Sequence, residues 1–389
     1  MKKLHLHFYL LLLPILFFSC VKDELDFVEY NYLPEDYATI SKTLDLPEQP
    51  YDYNLKIPNS NFFVGIRPRN VSKNMATLGR VLFYDKSMSK NGVVSCASCH
   101  KQAIAFADEL KLSKGFDGGE THRNSIALGS VVGFAAVYGS SSEPGTAFFW
   151  DERAPSAAAQ SRMSFTDAIE MGMTMSEVVN TVRSKDYYQT LFRATFQDEK
   201  INEERILLAL ESFVDAIGSF NSKMDKAMIR DGGFNMQVGR NLTGFSVSEN
   251  RGKDLFLRNC SSCHGDRGAG PVIRRANNGL DLVYTDKGIG GISNLAELYG
   301  VFKVPSLRNI ELTGPYMHDG RFENLVEVLN FYNEGIQAHP NLGKELQVDL
   351  NEPIRMGFTE EDKSDLISFL KTMTDTEFLT DVKFSDPFK

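Results

Sequence analysis

Apolar positions along the chain recur at three- and four-residue steps. Ile206, Leu207, Leu210, Phe213, Val214 and Ile217 share one side of a helix that Asn202 can cap. Thr174 and Glu177 form a capping-box pair ahead of Val178, Val179 and Val182. Thr359 and Asp362 open another helix, which carries Leu366, Ile367, Leu370 and Met373. No segment sustains a two-residue alternation, so strands are expected to be few. The pattern predicts an all-α chain. At 389 residues it is long enough for two domains with separate cores, and the boundary is expected near Gly218 to Met228, after the long helix.

One apolar run does not belong to this pattern. Lys2 and Lys3 precede the eleven residues from Phe8 to Phe18, and Ser19-Cys20 follows. Eleven residues are too few to span a bilayer but suit the apolar region of a secretory signal. Ser19-Cys20 resembles a bacterial lipoprotein cleavage site, which implies that 1–19 is a signal peptide and Cys20 the lipidated N-terminus. Lys22-Asp23-Glu24 resembles a signal for surface exposure of such lipoproteins. The acidic, turn-rich stretch to about residue 61 reads as a tether. The expectation is a membrane-anchored protein on the periplasmic side of a bacterial envelope.

Composition adds one exclusion. The net charge is −9, and so acidic a surface repels phosphate backbones, which argues against a nucleic-acid partner.

The cysteines carry the chemistry. With Cys20 set aside, the other four fall in two identical patterns, Cys96-Ala97-Ser98-Cys99-His100 and Cys260-Ser261-Ser262-Cys263-His264. This is the c-type haem attachment pattern. Two intervening residues let both thiols reach the haem vinyl groups from one helical turn, and the adjacent histidine becomes the iron ligand. Gly79-Arg80-Val81-Leu82-Phe83 precedes the first motif and Gly252-Lys253-Asp254-Leu255-Phe256 the second, with a longer spacer in the first copy. The chain therefore reads as an internal duplication: two cytochrome c-like domains, 62–220 and 221–389, each with one covalently bound haem.

Trp150, Gln160 and Glu170 follow the first motif at ten-residue steps, and Trp150 is the one tryptophan in the chain. Together with Arg123-Asn124-Ser125, the segment Val304-Pro305-Ser306-Leu307-Arg308-Asn309 and the run Tyr316-Met317-His318-Asp319-Gly320, they resemble the bacterial di-haem cytochrome c peroxidase family, which includes the MauG-type enzymes. The resemblance spans roughly residues 62–375. It implies a tryptophan between the haems (Trp150), and a glutamine (Gln160) and a glutamate (Glu170) lining a peroxide pocket at the first haem. It also implies one calcium ion between the domains, held by the Asn124 side chain and the carbonyls of Thr313 and Pro315. A homodimer is a further expectation of the resemblance.

Two positions depart from the best-known pattern of the family. Where many members carry a histidine that ligates the resting first haem, this chain has Phe116; nearby His122 is either a switch ligand or a plain loop histidine. Where many members ligate the second haem with methionine, this chain has Tyr332, as MauG-type proteins do. Tyr332 is either that ligand or a core aromatic, and Met317 is a substitute candidate. His339 reads as a loop residue.

The leading expectation is an enzyme that reduces hydrogen peroxide to water with electrons from a small c-type cytochrome or a cupredoxin. A MauG-like oxidase acting on a partner protein or other substrate is the second, and a non-enzymatic two-haem electron carrier the third.

Overall fold

The computed structural model describes residues 31–55, 70–129, 148–232, 236–266, 272–350 and 352–389. The expected signal peptide and the expected lipidation site, Cys20, lie outside them. Two helical bundles follow one another, and each is built on one helix crossing. In the first, Lys73–Tyr84 crosses Glu203–Ala216. The crossing point is Gly79: a Cβ there would sit 1.9 Å from the Ala209 carbonyl oxygen. One turn on, the Phe83 and Phe213 rings meet edge to face at 5.2 Å. The second bundle repeats the arrangement. Val247–Asn259 crosses Glu360–Lys371, a Cβ on Gly252 would fall 1.9 Å from the Asp365 carbonyl oxygen, and the Phe256 and Phe369 rings lie 5.2 Å apart. The duplicated Gly-x-x-Leu-Phe is thus one packing device used twice. Glycine lets two helices touch backbone to backbone, and the phenylalanine four residues later fills the space beside them.

The expected caps form. Thr174 with Glu177 and Thr359 with Asp362 make complete capping boxes, and the Asn202 side chain accepts from the Arg205 amide. Helices Ala157–Thr166, Met175–Arg183 and Asp186–Phe196 complete the first bundle. Lys223–Arg230 and Leu325–Asn330 join the second. The two bundles are cytochrome c-type domains. Strands are few among the described residues: Arg275–Ala276 pairs antiparallel with Phe302–Lys303, and Gln347–Asp349 with Glu352–Pro353.

The longer spacer of the first copy is an anchored loop. Its Asp85 is buried and accepts from the Ser87 amide, Lys185 Nζ and the hydroxyls of Tyr187 and Tyr188. Burial alone would raise its pKa, but these donors bring it below the usual carboxylate value.

Both ends of the described chain pack against the first core. The segment expected as a tether is not free from Tyr32 to Tyr53: Ile40, Leu44, Leu46 and Tyr53 are buried in that core. From the other end, Phe378 and Phe384, which follow the second bundle in sequence, enter the same core. Leu44 pairs with Phe388, Arg80 Nε donates to the Ser385 carbonyl at 2.6 Å, and the Tyr84 hydroxyl donates to the Phe384 carbonyl. The reason is apolar area. Tyrosines and leucines in 32–55 offer more than a tether needs, and the first bundle has a face to receive them.

Candidate functional site

Cys96–Cys99 is a single helical turn, with Ser95 and Ser98 capping each other reciprocally. His100 follows, and its Nδ1 lies 3.0 Å from the Phe106 carbonyl oxygen. A carbonyl only accepts, so Nδ1 carries the proton and Nε2 keeps its lone pair for a metal. Ala105 and Phe106, at φ 58° and 60°, bend the chain to deliver that carbonyl. The second motif does the same over a longer loop: His264 Nδ1 lies 3.1 Å from the Pro305 carbonyl oxygen. Burial lowers both imidazole pKa values, that of His264 to about 4, so both imidazoles are neutral near neutral pH, the form that can ligate a metal. The four thiols are unpaired, and burial pushes Cys96 and Cys260 each up to about 12.

Each motif opens into its own cavity. The first, about 680 Å³, is lined by Cys96, Cys99 and His100 with Phe83, Leu128 and Val214. The second, about 220 Å³, is lined by Cys260, Cys263 and His264 with Phe256, Leu329 and Leu370. Two thiols on one turn, a neutral imidazole beside them and apolar walls are the donor set and environment of a c-type haem. The residues present fit one haem in each cavity.

Trp150 lines both cavities. It sits in a tight loop closed by pairing of Phe148 with Ala154, in which Phe149 and Glu152 take left-handed φ values of 67° and 58°. Such backbone is costly for residues with side chains, so the surroundings must hold it. They do so from both domains. Trp150 Nε1 donates to the Asn124 carbonyl at 2.8 Å, and its own carbonyl accepts from the Lys303 amide at 2.9 Å. Glu152, buried, binds Arg274 and Arg275. Arg123 binds Asp151 beside Trp150 and makes a two-pronged pair with Asp286 of the second domain.

Gln160 lies on the Ala157–Thr166 helix and Glu170 in the turn after it, and both line the first cavity. Burial raises the Glu170 pKa. Asp167 raises it further, while a hydrogen bond from Ser164 and the nearby Arg153 charge oppose the rise. Gln160 Nε2 donates to Ser164 Oγ at 2.9 Å. His122 lines the same cavity from an exposed loop. Phe116, at the position many family members give to histidine, packs its ring against Gly172 and donates its amide to the Glu170 carbonyl.

Tyr332 and Met317 both line the second cavity, and Asn278 reaches both, donating to Met317 Sδ at 3.5 Å. Tyr332 falls in the wide turn Phe331–Gly335 that ends the Leu325–Asn330 helix, and burial raises its phenol to about 12. Asn124, Thr313 and Pro315 all line this cavity. Asn124 uses its amide nitrogen on the carbonyls of Leu110 and Lys111. His318 stacks on Phe302 at 3.9 Å and accepts the Asn124 amide on its carbonyl. His339 is more than a loop residue: it is buried, and its Nδ1 accepts from the Asn341 amide and meets Asn277 Nδ2 at 3.1 Å.

Ser164, Asn278, Lys303 and Asp286 were not apparent as site residues from the sequence. Ser164 stands four residues after Gln160, one turn along the same helix face, which is a usable signal. The others come from segments remote in sequence.

A two-domain, two-haem c-type redox protein is the class that this fold and this site define. The di-haem cytochrome c peroxidase family model matches residues 73–232, and the cytochrome c model residues 249–374. MauG of Methylorubrum extorquens, a methylamine utilization protein, is 30% identical over 304 residues, 76% of this chain and 77% of that one. Cytochrome c551 peroxidase of Nitrosomonas europaea is 28% identical over 316 residues, 79% of this chain and 82% of that one. The crystal structure of a MauG-like protein associated with microbial copper homeostasis superposes with a TM-score of 0.70 at 30% identity, covering 86% of this chain and 99% of that chain. The chain belongs to the di-haem cytochrome c peroxidase and MauG family.

Proposed function

We propose that the protein reduces hydrogen peroxide to water, with electrons from a small c-type cytochrome or a cupredoxin. The observation that carries this reading is the sharing of the first cavity by His100, Gln160 and Glu170, with Trp150 as the wall toward the second. The haems, when bound, supply the one-electron chemistry. Hydrogen peroxide, two electrons and two protons give two waters. Gln160 orients peroxide by hydrogen bonding. Glu170, as carboxylate, takes the proton from one peroxide oxygen and gives it to the other, so that the departing oxygen leaves as water. Trp150 offers a π-system between the two sites. Mixing holo-protein with peroxide and a reduced small cytochrome tests the reading: oxidation of the cytochrome supports it. A cytochrome that stays reduced in both the fully oxidised and the half-reduced protein overturns it.

The second reading, a MauG-like oxidase of a partner protein or other substrate, is favoured by one observation, the phenol of Tyr332 in the wall of the second cavity. A phenolate ligand stabilises oxidised iron and lowers the reduction potential relative to methionine. Tyr332→Met is then expected to raise the second haem's potential in spectroelectrochemistry; an unchanged potential removes the tyrosine from the ligand set.

The proposed calcium site uses the Asn124 amide oxygen, on the opposite end of the amide from the nitrogen held by Leu110 and Lys111, and the carbonyls of Thr313 and Pro315. These are hard oxygen donors suited to calcium. The protein is proposed to be exported and held at a membrane by lipid on Cys20. No helix among the described residues is long and apolar enough to cross a membrane.

A further inference from the structure

The longer spacer of the first copy holds a group that the proposed function does not use. Tyr187 and Tyr188, adjacent on helix Asp186–Phe196, both donate their hydroxyl protons to one atom, Asp85 Oδ2, at 3.1 and 2.9 Å. Neighbours on a helix do not face each other, yet these two hydroxyls converge. Their ring centroids lie 4.6 Å apart. Tyr188 is fully enclosed, whereas Tyr187 is 9% exposed and meets Phe388, near the C-terminus, edge to face. Asp85 is itself buried; its Oδ1 accepts from the Ser87 amide, and Lys185 Nζ lies 3.1 Å from Oδ2.

This group stands beside the first haem cavity. Phe83, two residues before Asp85, lines that cavity, and two residues span at most about 7 Å of chain. Beyond Asp85, the Lys90 amide donates to the Met171 carbonyl at 2.9 Å, and Met171 lines the cavity as well. Cys96 packs against the core that contains both tyrosines. A phenol that loses an electron becomes a strong acid, so it is oxidised readily only where a base already holds its hydroxyl. Asp85 is that base for both rings. The Lys185 ammonium, 5.6 Å from the centre of the Tyr187 ring, disfavours a cationic ring and so ties loss of the electron to loss of the proton. In the resting protein, burial and the Asp85 charge keep both phenols protonated.

We propose that Tyr187 and Tyr188, with Asp85 as their base, form a redox-active site that takes one oxidising equivalent from the first haem. The inference rests on the reading of the first haem as the one that peroxide oxidises. In the step, a phenol gives one electron to the peroxide-oxidised haem and its hydroxyl proton to Asp85 Oδ2. The phenol O–H bond breaks and a carboxyl O–H bond forms. The products are a neutral phenoxyl radical, a neutral carboxylic acid and a haem one electron less oxidised. Tyr188 is the inner member of the pair and Tyr187 the outer, where a one-electron reductant at the surface restores the phenol as Asp85 returns the proton. The pair gives the oxidised haem an outlet when no donor electron arrives.

The experiment mixes oxidised holo-protein with peroxide and no donor, freezes it rapidly, and records the electron paramagnetic resonance spectrum alongside the haem absorption. A tyrosyl radical is expected, recognised by a narrower spectrum when the tyrosine rings carry deuterium, and lost when Tyr187→Phe and Tyr188→Phe are combined. Asp85→Asn, whose amide oxygen still accepts both hydroxyls but takes no proton, is expected to slow radical formation by about 10²-fold, the lower end of what a positioned proton-transfer group contributes. Should these variants yield no holo-protein, the wild-type radical carries the test: the proton left on Asp85 is expected as an exchangeable coupling that disappears in heavy water. Absence of that coupling overturns the proposal. So does a radical that survives the double variant, or one insensitive to ring deuterium, which would sit on Trp150 or elsewhere. If the haem absorption responds to peroxide and no tyrosyl radical follows, the proposal falls while the peroxide reading stands. If neither haem responds, both fall.

Discussion

At the scale of single residues, the first cavity sets a carboxylate against its own burial. The Glu170 pKa is raised, so the carboxylate form that the proposed function needs appears only as pH climbs through that raised value. The peroxide reaction is therefore expected to accelerate with pH through the Glu170 midpoint. Glu170→Gln is expected to flatten this limb and slow the reaction by about 10²–10⁴-fold, the usual worth of a positioned proton-transfer group. Stopped-flow kinetics across pH checks both. The sign for stability runs the other way. A carboxyl whose folded pKa lies above its unfolded one favours folding below the unfolded value, and that contribution is lost as pH rises through the folded one. Glu170→Gln should therefore be more stable than wild type at neutral pH, and denaturant titration reads the difference. Both haem motifs could be read in the sequence, because each is a fixed spacing of reactive residues, whereas Trp150, Gln160 and Glu170 were singled out by the family resemblance. The residues packed around them could not. Arg123 and Asp286 meet across 163 positions, and no local pattern announces such a pair.

Among elements, the two glycine crossings are the repeated structural unit, and they give a test that addresses one domain at a time. An added methyl at Gly79 would fall 1.9 Å from the Ala209 carbonyl oxygen and 2.8 Å from Phe213 Cβ; at Gly252, 1.9 Å from the Asp365 carbonyl oxygen and 2.9 Å from Phe369 Cβ. Neither contact is tolerable, so the helices must separate and the Phe83–Phe213 or Phe256–Phe369 pair must loosen. Gly79→Ala and Gly252→Ala are each expected to cost ~1–3 kcal/mol or more, as overpacked cores do. The first should weaken the domain of Cys96 and the second that of Cys260. Unfolding followed by the absorption of each haem distinguishes them. The duplicated Gly-x-x-Leu-Phe was visible in the sequence, but its partners were not. Asn202 and Thr359 announced the start of the facing helices without saying which helix each would meet. That choice is made by the shape of the two surfaces, and shape is not written in a hydrophobic period.

On the scale of the whole molecule, sequence order and spatial order part company at the C-terminus. Helix Glu360–Lys371 belongs to the second bundle, yet a few residues later the chain has crossed to the first. Phe378 packs on Phe106 at 5.6 Å, and Phe106 is the residue whose carbonyl orients His100. Gln102 reaches the same strap, donating to the carbonyls of Phe378 and Asp381. Phe384 lies against Phe213 and Tyr53, and buried Arg80 closes on Ser385. The strap thus braces the floor of the first cavity and covers the far side of its helix crossing. Truncation after Asp375 removes two buried phenylalanines worth about 1.5–3 kcal/mol each. It also strands the Arg80 guanidinium in a core without its carbonyl partner, a further cost. The expected outcome is asymmetric. The first domain should lose several kcal/mol, and its haem environment should loosen, because the Phe106 carbonyl that fixes the His100 tautomer loses its backing. The second domain should keep its stability, since its own core stops at Met373. Separate melting of the two haem signals in the truncated protein checks this. Equal destabilisation of both domains would show that the strap serves the interface between them and not the first core alone.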